Sequence, residues 1–100
     1  MKISEYFRED ELVQEPVGYW IEEFHEKSLE EALEEAGLDT KLSRIAHSDY
    51  VKDFKVLEEL YHQGSLISEI GNYKIMELQS GEKFLFNYHE GGAYEVVFQP

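Results

Sequence analysis

Two Glu-x-x-His spacings, Glu22/His25 and Glu59/His62, come closest to a metal-binding motif in this chain. Two such pairs, with one more glutamate from each of two other helices, build a carboxylate-bridged di-iron site inside a four-helix bundle. The surrounding pattern points them the wrong way. Around Glu22 the apolar stripe is Val17, Trp20, Ile21 and Phe24, and at 100° per residue His25 lies about 100° and Glu22 about 160° from Phe24. His62 and Glu59 stand at the same angles from Tyr61. All four side chains are therefore expected in water, and the sequence predicts no metal and no other cofactor.

Three further groupings resolve in the same direction. His47-Ser48-Asp49 holds the residue types of a hydrolase triad, but immediate neighbours do not converge in that geometry, and no Gly-x-Ser-x-Gly elbow is present. Ser48 reads better as a helix cap with Asp49 in the first turn. Gly91-Gly92 lacks the following helix that a phosphate loop needs. Phe84, Phe86 and Tyr88 alternate as base-stacking aromatics do on RNA-binding sheets, but no basic residues accompany them, so they read as core. No catalytic residue is assigned, and the chain is read as a non-enzyme.

What remains is charge. Of the 22 acidic residues, 13 fall within the first forty positions, against Lys2, Arg8 and Lys27 alone. Glu22, Glu23, Glu26, Glu30, Glu31, Glu34 and Glu35 fall on the outward faces of two consecutive predicted helices, with Asp39 just beyond. Carboxylates at i and i+4 stand about 6 Å apart along a helix. Only Lys27 is near enough for i, i+4 pairing, so like-charge repulsion of a few tenths of a kcal/mol per pair is tolerated. An unbalanced acidic surface beside aromatics suits rapid capture of a basic partner, with Tyr19 or Trp20 as the anchor. A nuclease or other nucleic-acid-binding protein is the expected partner class. By analogy of size and charge, nuclease-immunity proteins and DNA-mimic or phage anti-defence inhibitors work in this way.

The net charge of −13 argues against nucleic acid or anionic membrane as a direct ligand. One hundred residues with 42% apolar content imply one domain with its own core. The absence of cysteine excludes disulfides and thiolate metal sites. No apolar run reaches the length of a membrane span, and the first residues lack the pattern of a signal peptide, so a cytoplasmic location is expected.

The elements that must carry these residues fall into two halves, helical then β, for an α+β fold with N-terminal helices packed on a C-terminal antiparallel meander of three to four strands. Ile3, Tyr6 and Phe7 predict a short first helix, with Ser4 as its cap, and Pro16 opens a second. Ser28-Leu29-Glu30-Glu31 reads as a capping box, with Gly37 as the C-terminal cap and Leu29, Ala32, Leu33 and Ala36 as the buried stripe. Leu42, Ile45 and Ala46 suggest a helical turn. A helix from Ser48 to Gly64 buries Tyr50, Phe54, Leu57 and Tyr61.

Strands are predicted over 66–70, 73–78, 83–89 and 94–98. A two-residue turn at Ser80-Gly81 would pair Ile75 with Phe86, and a three-residue turn over 90–92 would pair Tyr88 with Tyr94. These registers gather Met76, Leu78, Leu85 and Val97 on the second sheet face. Helices either cover that face or leave it as a homodimer surface, in which case the chain is a structural or adaptor domain with a merely solubilising acidic region.

Overall fold

A computed structural model describes residues 2–100, and it has three helices and one five-stranded antiparallel sheet. The class is α+β, with one strand more than expected. Helix α1 spans Val17–Phe24, α2 Lys27–Ala36 and α3 Lys55–Gln63. The strands are β1 Arg44–His47, β2 Ser65–Ile70, β3 Tyr73–Glu77, β4 Lys83–Tyr88 and β5 Tyr94–Phe98, in the spatial order β1-β5-β4-β3-β2. No helix among the described residues is long and apolar enough to cross a membrane.

Helix α2 is built as its sequence predicts on its buried side. Leu29, Ala32, Leu33 and Ala36 are buried, and Gly37 closes the helix at φ +72°, a left-handed conformation that suits a residue without Cβ. Its start differs: the helix begins at Lys27, so Ser28 lies in the first turn and forms no capping box. Pro16 precedes α1 as its cap residue rather than opening it.

Residues 44–47 correct the expected helical turn. Four residues are too few to separate a period of 3.6 from one of 2, so tertiary pairing decides. Here they pair with β5, which would otherwise be an open sheet edge. The outer side of β1 is covered in turn, by a bridge from Leu12 to Ala46 and by the Val13 N–H donating to the Ile45 carbonyl at 2.8 Å. The Ser48 helix is also shorter than expected. It starts at Lys55, leaving Tyr50 and Phe54 exposed while Leu57 and Leu60 enter the core. Ser48 caps no helix; its hydroxyl accepts the Tyr94 N–H at 3.1 Å. At the N-terminus two short 3-10 turns, Ile3–Tyr6 and Glu9–Glu11, replace the predicted helix.

The β4–β5 register is the expected one, with Tyr88 opposite Tyr94 and Phe86 opposite Val96. The β3–β4 register is shifted by one. Leu78 N–H bonds to the Glu82 carbonyl, which leaves the three residues Gln79, Ser80 and Gly81 in the turn, with Gly81 at φ +91°. Ile75 therefore faces Leu85, and Met76 faces Phe84. A one-residue slip turns a strand over, so Met76 and Leu78 join the aromatic face and Tyr73 and Ile75 move to the other.

Each face then carries its own core. On one, α3 and the N-terminal turns cover Met76, Leu78, Phe84, Phe86, Val96 and Phe98. On the other, α1 and α2 cover Ile45, Tyr73, Ile75, Leu85 and Val97. This overturns the homodimer surface. Met76, Leu78, Leu85 and Val97 divide between two opposite faces, and all four are buried within the chain.

Candidate functional site

Strand registers place one polar residue from each of four adjacent strands in a single lateral row. His47 of β1 faces Glu95 of β5, Glu95 faces Asn87 of β4, and Asn87 faces Tyr73 of β3. The neighbouring row on the same face, Ile45–Val97–Leu85–Ile75, is wholly apolar. The core of the α1/α2 face thus ends abruptly in a polar band. His89, two residues past Asn87, adds a second imidazole.

The band is buried at its centre. Asn87 is 5% and Glu95 8% exposed, whereas the His89 side chain is 42% exposed. Among the described residues no lysine or arginine comes within 4 Å of the Glu95 carboxylate, whose one ion-pair contact is His89 Nε2 at 3.4 Å. Asn87 Nδ2 donates to Glu95 Oε1 at 3.2 Å and also lies 3.4 Å from His89 Nε2. Asp49 positions His47 from the side: its N–H donates to His47 Nδ1 at 3.0 Å, and its carboxylate lies 3.6 Å from the same nitrogen. Burial raises the Tyr73 phenol well above its ordinary range, and the charges of Glu95 and Glu26 raise it further, so Tyr73 stays a neutral donor.

His47, Asp49, Tyr73, His89 and Glu95 line a cavity of about 320 Å³, open to solvent, with Trp20, Phe24 and Glu26 on the wall contributed by α1 and the α1–α2 turn. Trp20 stacks on Phe24 at 5.5 Å, and its Nε1 is buried without a hydrogen-bond partner. Among the described residues, the one cluster with donors grouped as a metal ion needs is His47, His89 and Glu95. The Glu22/His25 and Glu59/His62 pairs are solvent-exposed as expected, although His25 stands just past the end of α1 at φ +53° and not on the helix. Of the His47-Ser48-Asp49 triplet, the first and third residues meet, while Ser48 is committed to the backbone of Tyr94.

The seven predicted acidic residues are all exposed. Glu22 and Glu30 share a groove between α1 and α2, and Glu30 and Glu34 share a second one with Asp39. At 100° per residue, Glu30, Glu34, Glu31 and Glu35 fan over about 140° opposite the buried stripe of α2. Glu23 lies on the far flank of α1, and Glu26 turns toward the cavity. Lys41 borders both grooves, yet none of the seven forms an ion pair among the described residues. Of the two expected anchors, Tyr19 is exposed, whereas Trp20 is half-buried and packs against the second core. Phe24, 59% exposed, occupies the outward position instead.

The chain matches no family model, and comparison with curated proteins and with solved structures returned no significant match.

The polar band was partly legible in the sequence. The expected registers put Asn87 and Glu95 among apolar residues of one face, together with Lys74, which the shifted β3 register removes, and the 90–92 turn pairs the first two. His47 and Tyr73 were not legible, since their places depend on β1 and on the shifted β3 register.

Proposed function

We propose that the chain is a non-enzymatic binding protein that docks on a basic, nucleic-acid-handling protein through the α1–α2 surface. The observation that carries this reading is the set of seven exposed glutamates with no internal counter-ion among the described residues. Carboxylates left unpaired keep their field for an incoming charge, which accelerates encounter. Tyr19 and Phe24, exposed on the same helix, supply aromatic surface that slows dissociation. A nuclease groove built to hold phosphates is the surface this combination fits. An immunity protein and a DNA-mimic inhibitor share that mechanism.

The test is capture of basic proteins from the source cell's extract, followed by nuclease assays on each captured protein. Raising salt from about 0.1 M to about 1 M shortens the screening length from about 10 Å to about 3 Å and should release the partner. Combined Glu22→Gln, Glu30→Gln and Glu34→Gln changes should abolish capture and leave the fold intact. Capture indifferent to both salt and these changes would reject the proposal and leave the acidic face with a solubilising role.

A further inference from the structure

We propose that His47, His89 and Glu95 form a binding site for a divalent transition-metal ion of the zinc class. One ligand atom from each lies within 4.8 Å of the other two. Ligand atoms about 2.0–2.1 Å from a tetrahedral zinc stand roughly 3.3 Å apart. His89 Nε2 and Glu95 Oε1, at 3.4 Å, already have that spacing. Only the His47 ring has to swing inward to complete the triangle.

The groups behind these ligands are placed as orienting groups for a metal site. Asn87 holds the Glu95 carboxylate from below. If His47 ligates through Nε2, its Nδ1 must give up the Asp49 N–H it accepts and take the proton, turning toward the Asp49 carboxylate 3.6 Å away. Two imidazoles and one carboxylate select zinc and its transition-metal neighbours over magnesium and calcium, which favour oxygen alone.

Charge gives the site its physical reason. A buried carboxylate is disfavoured without a cation beside it, and among the described residues neither lysine nor arginine supplies one. A metal ion would. Three protein ligands leave the fourth position facing the cavity, where water or a small anionic molecule can complete the coordination.

This inference rests on the cavity and stands apart from the acidic face. The experiment is calorimetric titration of the chain with zinc sulfate, with magnesium chloride as the hard-cation control. One equivalent of zinc should bind and magnesium should not, and imidazole nitrogen NMR shifts should move for His47 and His89 while His25 and His62 stay still. His89→Ala alters a side chain 42% exposed, so the fold should survive while zinc affinity falls at least about tenfold. Glu30→Gln with Glu34→Gln should leave zinc binding unchanged. Failure to saturate below about 1 mM zinc would overturn the proposal. So would binding that survives His47→Ala and His89→Ala together, or NMR shifts confined to His25 and His62.

Discussion

His47 and Glu95 are direct cross-strand partners, one on the strand that closes the sheet edge and the other on the last strand of the chain. Their pairing joins residues almost fifty positions apart and sets one wall of the cavity. Two positions inward on the same face, Ile45 faces Val97 in the same ladder, so one step of two residues separates closed apolar packing from a polar band. The contrast makes the band a feature of the design of this face, not a fraying of its core.

Asn87 is the donor that makes a buried Glu95 tolerable. Asn87→Leu should cost about 2 kcal/mol, roughly 10 °C in Tm, because the carboxylate loses its amide partner. Adding Glu95→Met removes the stranded charge and should recover part of that loss, the remainder reflecting the Tyr73 hydroxyl, which loses both Asn87 and Glu95 as partners. Urea denaturation of the two single variants and the double variant completes the cycle. Additive losses would show that the two side chains do not interact.

Gly71 joins the β2–β3 turn to α2. Its φ is +59°, and an added Cβ would lie 2.7 Å from Ser28 Oγ and 2.9 Å from Ser28 Cβ. Gly71→Ala therefore forces both a strained backbone and a shift of the first turn of α2. A loss of about 1–3 kcal/mol in chemical denaturation is expected. Gly37→Ala, where nothing stands within 4 Å, carries the backbone strain alone and should cost less.

Glu11 provides the pH-dependent tie. Its carboxylate accepts the Arg8 N–H at 2.9 Å and the Lys52 N–H at 2.8 Å, fastening an N-terminal turn to the loop before α3. These two donors hold its pKa below the ordinary 4.5. The charged form is thus favoured in the folded state, and its contribution is complete above the unfolded value. That contribution fades as pH falls through the lowered folded value. Glu11→Gln should cost about 1 kcal/mol near neutrality, and the two proteins should converge in stability under acid. Thermal melts across the acidic range measure the convergence.

Several features could be read from local chemistry because local chemistry alone produces them. The buried stripe of α2 follows from its 3.6-residue spacing, and Gly37 ends it for want of a Cβ. The β4–β5 register follows from a three-residue turn that sets matching aromatics opposite one another. Outward glutamates on α1 and α2 follow from the same helical angles that bury their neighbours. Phe84 and Phe86 enter the core as expected, but Tyr88, expected there with them, is exposed and stacks on Tyr94 at 5.9 Å near the end of the sheet.

The sequence by itself determined the α+β class, the strongly negative N-terminal surface and the two apolar faces of the meander. Tertiary structure decided what those faces meet and where the polar band lies. A four-residue segment such as 44–47 carries no period of its own, so only an unpaired β5 edge makes it a strand. The turn after β3 could close around two residues or three, and the Leu78–Glu82 bond selected three. That single residue turned β3 over, burying Met76 and Leu78 against α3 and bringing Tyr73 beside Asn87. Alternation along a strand says which side chains share a face, but hydrogen bonds between distant strands say which face it is.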